Sequence, residues 1–548
     1  MKIKFFRPDR PSWTAVIVLL CSALTGPLIY IVTSSLLKTN DNWQHLLGLL
    51  LPRYLRQTLL LAAGVTAGTG ILGVWSAWII THYDFRGKKA LEACSYLPLA
   101  VPAYILAFVY ANFFSISGPV STTLQRVTGL TPAQLPAMDI MNMAGLIMVM
   151  TLALFPYVFT AARASFSIQS PSLLEAAGSL GVSRRRAFWT IAFPLARPAI
   201  AAGLSLVLME TLSEYGAVHY YGVENFTTGI FRAWFTLRDT ALALKLAGIL
   251  LLFTFGFIAV ERKSRGKQNK YASSQPNRET DQGRKLKGIQ YAVSMAVVTL
   301  PVLLGFVLPV IMLIIWGLPT AAVIPADLGR HLLQTLGIGI VSSGAAVITA
   351  LILVHGKTVL GNSPATRFIS FSTMGYGIPG AVLALAVLIT GNSLLHGLRS
   401  SGIISLASAR SLLLFTGFMS LIAAFVIRYL AVAYTPLSAH YQRIGRTLVE
   451  ASTGLGISPI RTLLSVNIPL LKTPLLIGSL LVFIDLIKEL PITLILRPFN
   501  VETLATKAYY YASNEMLSRA APYSLMIVVL GLIPTLGIVV LKERIRKR

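Results

Sequence analysis

The chain has 548 residues, 55% of them hydrophobic and only 12% charged, with a mean hydropathy of +0.70. A soluble domain carries about 25% charged residues, so charge this sparse over this length argues against a soluble globular protein and for a polytopic membrane protein. The formal net charge of +27 would suggest nucleic acid in a soluble chain, but the bases lie mainly between apolar runs, without interleaved aromatic residues, and membrane topology accounts for them.

Lys2, Lys4, Arg7 and Arg10 precede an apolar run over 13–36. A signal peptide has an apolar core of about 7–15 residues, whereas a bilayer crossing needs about 20. The run is therefore read as an uncleaved first transmembrane helix. Further apolar segments follow near 57–81, 92–113, 142–162, 197–215 and 240–260. A second set lies near 290–317, 333–355, 368–390, 411–433, 473–487 and 520–541. The pattern predicts an all-α fold of about twelve transmembrane helices in two repeated six-helix bundles. Residues 1–260 form the first repeat, 261–289 a basic linker and 290–548 the second repeat. The linker holds nine bases and three acids, too polar to be buried in lipid. Most of the basic residues fall in alternate loops, which predicts cytoplasmic N- and C-termini.

The halves are related by a repeat. Glu175-Ala176-Ala177-Gly-Ser-Leu-Gly181, then Ile191 and Pro194, recurs as Glu450-Ala451-Ser-Thr-Gly-Leu-Gly456, then Val466 and Pro469, at an offset of 275 residues. Glu175 to Leu180 is compatible with a helix, with Leu174, Ala177 and Leu180 on one face. Gly181 can take left-handed backbone angles and end it, and Ser183 can cap a second helix from Arg184. Gly456 and Ser458 repeat this, but the Arg184-Arg185-Arg186 run has no counterpart. Both segments fall in predicted cytoplasmic loops. Gln57-Thr58-Leu59 echoes Gln334-Thr335-Leu336, Pro102-Ala103 echoes Pro379-Gly380, and Gly64 and Gly68 allow close helix packing.

The fifth span of each half carries acids. Glu210 and Glu214 share a helical face, and Asp485 and Glu489 repeat them at the same offset. Ionisable groups within spans are costly and face a bundle interior or a wet cavity. These four are candidates for a translocation path that accommodates a cation. The alternative is that Glu214 and Glu489 sit in water at helix ends, one of them neutralised by Lys488 or Arg232. In the loops that follow, Asn225 aligns with Asn500, Thr228 with Thr503, Arg232 with Lys507 and Trp234 with Tyr509. Cys21 and Cys94 lie in apolar runs, and the seven histidines are scattered. Neither set is spaced as a disulfide framework or a metal site, and no metal ligands are assigned. Gly356-Lys357-Thr358 lacks the upstream glycine of a phosphate-binding loop, and no nucleophile–base pair appears.

The duplicated Glu-Ala segment resembles the cytoplasmic loop by which bacterial ABC-importer permeases dock onto their ATPase subunits. Glu210-Thr-Leu-Ser-Glu214-Tyr-Gly-Ala, Lys488-Glu-Leu-Pro491, Leu496-Arg-Pro-Phe-Asn500, Thr503-Leu-Ala and Ala512-Ser-Asn-Glu515 resemble the ferric-iron branch of these permeases, as does the fused two-domain layout. The resemblance implies a transporter subunit rather than an enzyme, in a bacterial inner membrane. Two cytoplasmic ATPase subunits would use the ATP, and a periplasmic binding protein would deliver ferric iron. The chain itself would bind no cofactor and no nucleic acid. Coupling would run through Glu175, Ala176, Ala177, Gly181 and Pro194, and through Glu450, Ala451, Gly456 and Pro469. The alternatives are a permease of the same superfamily for thiamine, phosphonate, polyamine or sulfate, and an ion-driven secondary transporter. The paired Glu-Ala loops argue against the latter.

Overall fold

The structure, a computed structural model, describes residues 10–37, 48, 50–131, 134, 139–169, 176–265, 284–285, 288–318, 325–361, 363–401, 409–444, 451–452 and 454–547. The described residues are overwhelmingly helical. The first half contains α1 (Arg10–Leu37), α2 (Leu51–His82), α3 (Ala103–Phe113), α4 (Met143–Ile168), α5 (Phe193–Ser213) and α6 (Thr240–Arg265). The second contains α7 (Gly288–Gly317), α8 (Leu328–Leu360), α9 (Gly380–Ser400), α10 (Ala409–Ile444), α11 (Lys472–Ile487) and α12 (Leu517–Lys547). Ten helices among the described residues are long and apolar enough to cross a membrane, and there are twelve crossings if each of two bent helix pairs counts as one.

Proline places the breaks. The apolar segment 92–113 is not one helix. Lys88–Ala100 meets α3 at 92°, because Pro102 caps α3 in an extended conformation (φ −57°, ψ 147°) and disfavours helical angles at the residue before it. Pro379 does the same at the start of α9 (φ −56°, ψ 135°), so the apolar segment 368–390 also divides, with a short helix at Pro364–Ser372. Pro194 and Pro469 have no N–H to give to the helix. In both halves a π turn, Phe188–Ala192 or Leu463–Asn467, lies immediately before the helical turn that contains the proline. In the first half the helix then runs on through Ser213. In the second it breaks at Leu471, and Pro459–Leu470 meets α11 at 79°.

Small residues set the packing of α2 against α4. A Cβ on Gly64 would lie 2.5 Å from Ile147, one on Gly68 2.6 Å from Thr151 Oγ1, and one on Gly73 2.8 Å from the Phe159 nitrogen. These helices are as close as their backbones allow.

The first span of each half packs on the other half. Trp13 of α1 meets His355 of α8 edge to face at 5.0 Å, Ile17 fills the space beside Gly356, and the Tyr30 and Ser393 hydroxyls are 3.4 Å apart. Reciprocally, Tyr110 donates to the Leu304 carbonyl of α7 at 2.8 Å, and Gly305 abuts the Leu152 carbonyl. Of the linker, Arg284–Lys285 pairs in parallel with Tyr83–Asp84. This contact puts the linker beside the loop between α2 and α3. An even number of crossings separates the two segments, which fits both on one side of a bilayer.

The loops after the fifth spans correct the sequence alignment. Asn225 caps Phe226–Phe231 through a capping box with Thr228. In the second half Thr503 caps Leu504–Ser513 through Thr506. The next backbone N–H bonds to a matched threonine of α2 or α8, Phe226 N to Thr58 Oγ1 at 3.3 Å and Leu504 N to Thr335 Oγ1 at 2.9 Å. Asn225 therefore matches Thr503, and Thr228 matches Thr506. The second half carries three extra residues here, around Phe499 and Asn500, and the pairing of Asn225 with Asn500 does not hold.

Candidate functional site

The fifth spans end at matched positions. α5 ends at Ser213, and the chain turns through Glu214 into Gly216–Tyr220. α11 ends at Ile487 and turns through Glu489 into Pro491–Leu496. Each turn leaves unpaired backbone N–H groups at the start of the next short helix, and the glutamate takes them. Glu214 Oε1 accepts from Ala217 N at 2.8 Å. Glu489 accepts from Ile492 N at 3.0 Å through Oε2 and 3.2 Å through Oε1.

These turns, with the Val101–Tyr104 break, enclose a cavity of about 70 Å³ lined by Glu210, Glu214, Asp485 and Glu489. A site of that size admits a few waters or a small ion with part of its shell. Glu489 is only 6% exposed, so it does not lie in bulk water. A Cβ on Gly380 would come to 2.8 Å from Glu489 Oε1; glycine lets α9 begin against this carboxylate.

Two bases share the lining, both from the second half. Lys488 Nζ pairs with Asp485 Oδ1 at 2.9 Å. Arg428 of α10 lies 3.9 Å from Glu210 Oε2 and donates to the Ile378 carbonyl at 2.8 Å. Tyr376 donates to Glu210 Oε1 at 2.8 Å. Neither Lys488 nor Arg232 neutralises the glutamate expected of it: Lys488 holds Asp485, and Arg232 sits near Glu224, 3.6 Å away. The matched positions of Arg428 and Lys488 in the first half are Ala153 and Ser213. The acids are thus symmetric and the bases are not. Four acidic side chains face two bases across one cavity. Among the described residues no group of three or more His, Cys, Asp or Glu could hold a metal ion. The four acids share the lining of one cavity without forming a chelate among the described residues.

Sequence reasoning passed over Arg428 and Tyr376. The available signal is a lone arginine inside the apolar run 411–433, a placement costly in lipid unless paired. Tyr376 carries no comparable signal; its role depends on where the Pro379 break puts it.

Of the duplicated loops, Glu175 and Glu450 lie outside the described residues. Ala176–Ser179 is helical, and Gly181 has φ +77°. Val182 N reaches the Ala177 carbonyl and Gly181 N the Gly178 carbonyl, both at 3.0 Å, a glycine-ended helix stop of the Schellman type. Gly456 has φ +75°, and Ile457 N reaches the Ser452 carbonyl at 3.0 Å. Ser458 caps the next turn, its side chain accepting from Arg461 N. Ala177 and Ser452 face inward, whereas Leu180 and Leu455 are 84% and 80% exposed. The face proposed to join Ala177 and Leu180 is therefore split, and each loop presents one leucine at its tip. Pro194 and Pro469 sit where each loop returns to the helix bundle.

Two repeated six-span bundles closing on a charged cavity between them make a membrane transport permease. The profile of the family described as "binding-protein-dependent transport system inner membrane component" matches residues 70–262 and again 358–547, and the chain belongs to that family. The Fe(3+)-transport system permease protein FbpB 2 of Haemophilus influenzae is 26% identical over 545 residues, 96% of this chain and 98% of that one. The sulfate transport system permease protein CysT of Escherichia coli is 30% identical over 161 residues, 29% of this chain and 55% of its own. The molybdenum transport system permease protein ModB of Haemophilus influenzae is 29% identical over 146 residues, 27% and 61% of the two chains.

Proposed function

We propose that the chain supplies both halves of the permease of an ATP-driven importer that carries ferric iron inward. Residues 1–260 and 290–548 act as its two halves, with both termini and the 261–289 linker in the cytoplasm. The observation that carries the reading is the cavity: four carboxylates from both halves against two bases, an electrostatic well for a cation. The near full-length likeness to an Fe(3+) permease supports the cargo. Sulfate and molybdate are anions, and the relatives named for sulfate and molybdenum match only part of the chain.

The duplicated loops serve as coupling knobs. Glu175 to Gly181 with Pro194, and Glu450 to Gly456 with Pro469, engage two separate ATPase subunits. A periplasmic binding protein delivers iron at the opposite face. ATP is used by those partners, and the chain carries no cofactor of its own.

The test is solute uptake in proteoliposomes containing the chain with its ATPase and binding-protein partners. ATP-dependent accumulation of ferric iron, and not of sulfate, molybdate or thiamine, is expected. Accumulation of sulfate or molybdate without iron would reject the cation reading. Uptake driven by an ion gradient without ATP would reject the importer class.

A further inference from the structure

The two duplicated loops rest on different chemistry at matched positions. Beneath the first, Trp78 of α2 meets Phe166 of α4 at 5.4 Å and Phe188 of the π turn at 4.8 Å, both edge to face, and Ala192 is fully buried alongside. At the matched positions of the second half stand His355 of α8, Tyr441 of α10, Leu463 and Asn467.

There the packing gives way to a hydrogen-bonded chain. Asn467 Nδ2 donates to the Tyr441 hydroxyl at 2.5 Å, and that hydroxyl lies 2.7 Å from His355 Nδ1. With its proton already turned toward Nδ1, Tyr441 can accept from Asn467, so the three groups agree on one direction of donation. With Nδ1 accepting, the imidazole proton sits on Nε2, which finds no hydrogen-bond partner among the described residues. His355 and Asn467 are fully buried, and Tyr441 is nearly so. Pro459 follows Ser458, the cap of the turn that leaves the loop.

We propose that the Asn467–Tyr441–His355 chain is a positioning lock for the second loop. It fixes the π turn Leu463–Asn467, which follows directly on Pro459–Thr462, to α8 and α10 through directional bonds. Aromatic edges let neighbours slide by small amounts, whereas a buried chain of short hydrogen bonds holds one geometry or breaks. The second loop is therefore held rigidly and the first compliantly, so the two transmit movement unequally. The proposal rests on reading both segments as coupling loops, and its test separates the two ideas.

A nitroxide is attached at Leu180→Cys or at Leu455→Cys in a Cys21→Ala/Cys94→Ala chain, and its mobility and the uptake of ferric iron are measured on the reconstituted importer. Tyr441→Phe removes one oxygen and keeps the ring, so it is the variant least disruptive to folding. It should raise label mobility at position 455, leave position 180 unchanged and lower uptake about fivefold or more. Asn467→Ala should act in the same way. A second chain carries the first-half residues: His355→Trp, Tyr441→Phe, Leu463→Phe and Asn467→Ala. If it keeps both the order at position 455 and full uptake, packing alone suffices and the lock is overturned. Unchanged mobility at position 455 in Tyr441→Phe would also overturn it. Raised mobility there with full uptake supports the lock and rejects the loop's part in transport.

Discussion

Glu210 is the residue on which the two halves meet. Its carboxylate takes the Tyr376 hydroxyl and faces Arg428, both from the second half. The Arg428 side chain is only 4% exposed. Removing one member of a buried pair leaves the other desolvated and uncompensated, at a cost greater than the net worth of the pair. Glu210→Gln should therefore destabilise the protein, by about 1–3 kcal/mol. The separation of 3.9 Å and the partial exposure of Glu210 keep the loss toward the low end. Arg428→Met in that background should recover most of the stability, read as melting temperature in detergent, without recovering iron uptake. Recovery of both would reduce Glu210 to a packing group. From sequence alone, neutralising the acids would be expected to leave a pure packing residue neutral or stabilised, because no partner is visible. The buried arginine reverses that sign. Positions and types of the acids were legible through the repeat; the partners of Glu210 were not, because contacts between halves depend on tertiary structure that no local spacing encodes.

At the scale of elements, what could be read was what composition and backbone chemistry decide locally. Apolar length marked the spans, and glycine marked the loop ends. Gly181 and Gly456 both occupy the left-handed region, and in both the space where a Cβ would stand is open. The cost of substitution is thus conformational, about 1–2 kcal/mol for a residue other than glycine or asparagine, and confined to the turn. Gly181→Val with Gly456→Val should leave insertion and melting nearly unchanged while abolishing ATP-dependent uptake. Gly456→Asn should be tolerated, since asparagine visits this region. Equal loss in the asparagine variant would mean that bulk at the loop surface, rather than backbone geometry, is what matters. The prolines at 102 and 379 are visible in the sequence, but the helix breaks around them are not. A proline inside a long apolar run fits either a kinked span or a full break, and only packing selects the 92° bend. The three-residue shift after Glu489 was hidden for a related reason. Asparagine and threonine both cap helices, so either alignment satisfies local chemistry, and only the matched bonds that Thr58 and Thr335 accept from Phe226 N and Leu504 N decide it.

At the scale of the whole molecule, a division into halves along the chain is not a division in space. α1 packs on α6 of its own half but also on α8, the Pro364–Ser372 helix and α9, and α7 packs on α12 of its own half but also on α2, α3 and the turn at Pro98. Neither half alone covers every face of its first span, so each alone would leave apolar side chains and tight helix contacts such as Ile17 with Gly356 unmet. In a bilayer the loss is chiefly of close packing rather than of hydrophobic burial. The contacts that cross between halves need no covalent connection: Tyr110 to Leu304, Glu210 to Tyr376 and Arg428, and Gly380 N to Ser213 Oγ at 2.9 Å. Cutting the chain between residues 270 and 280 and co-expressing the pieces should therefore give two fragments that co-purify and take up iron with the partner subunits. Either fragment expressed alone should be degraded or should aggregate. Gly356→Leu would overfill the contact with Ile17 and should weaken co-purification of the pieces far more than it lowers uptake by the uncut chain, because the linker holds the halves at a high effective concentration. If each fragment is stable and monodisperse alone, the exchange of first spans does not hold the permease together, and the linker does.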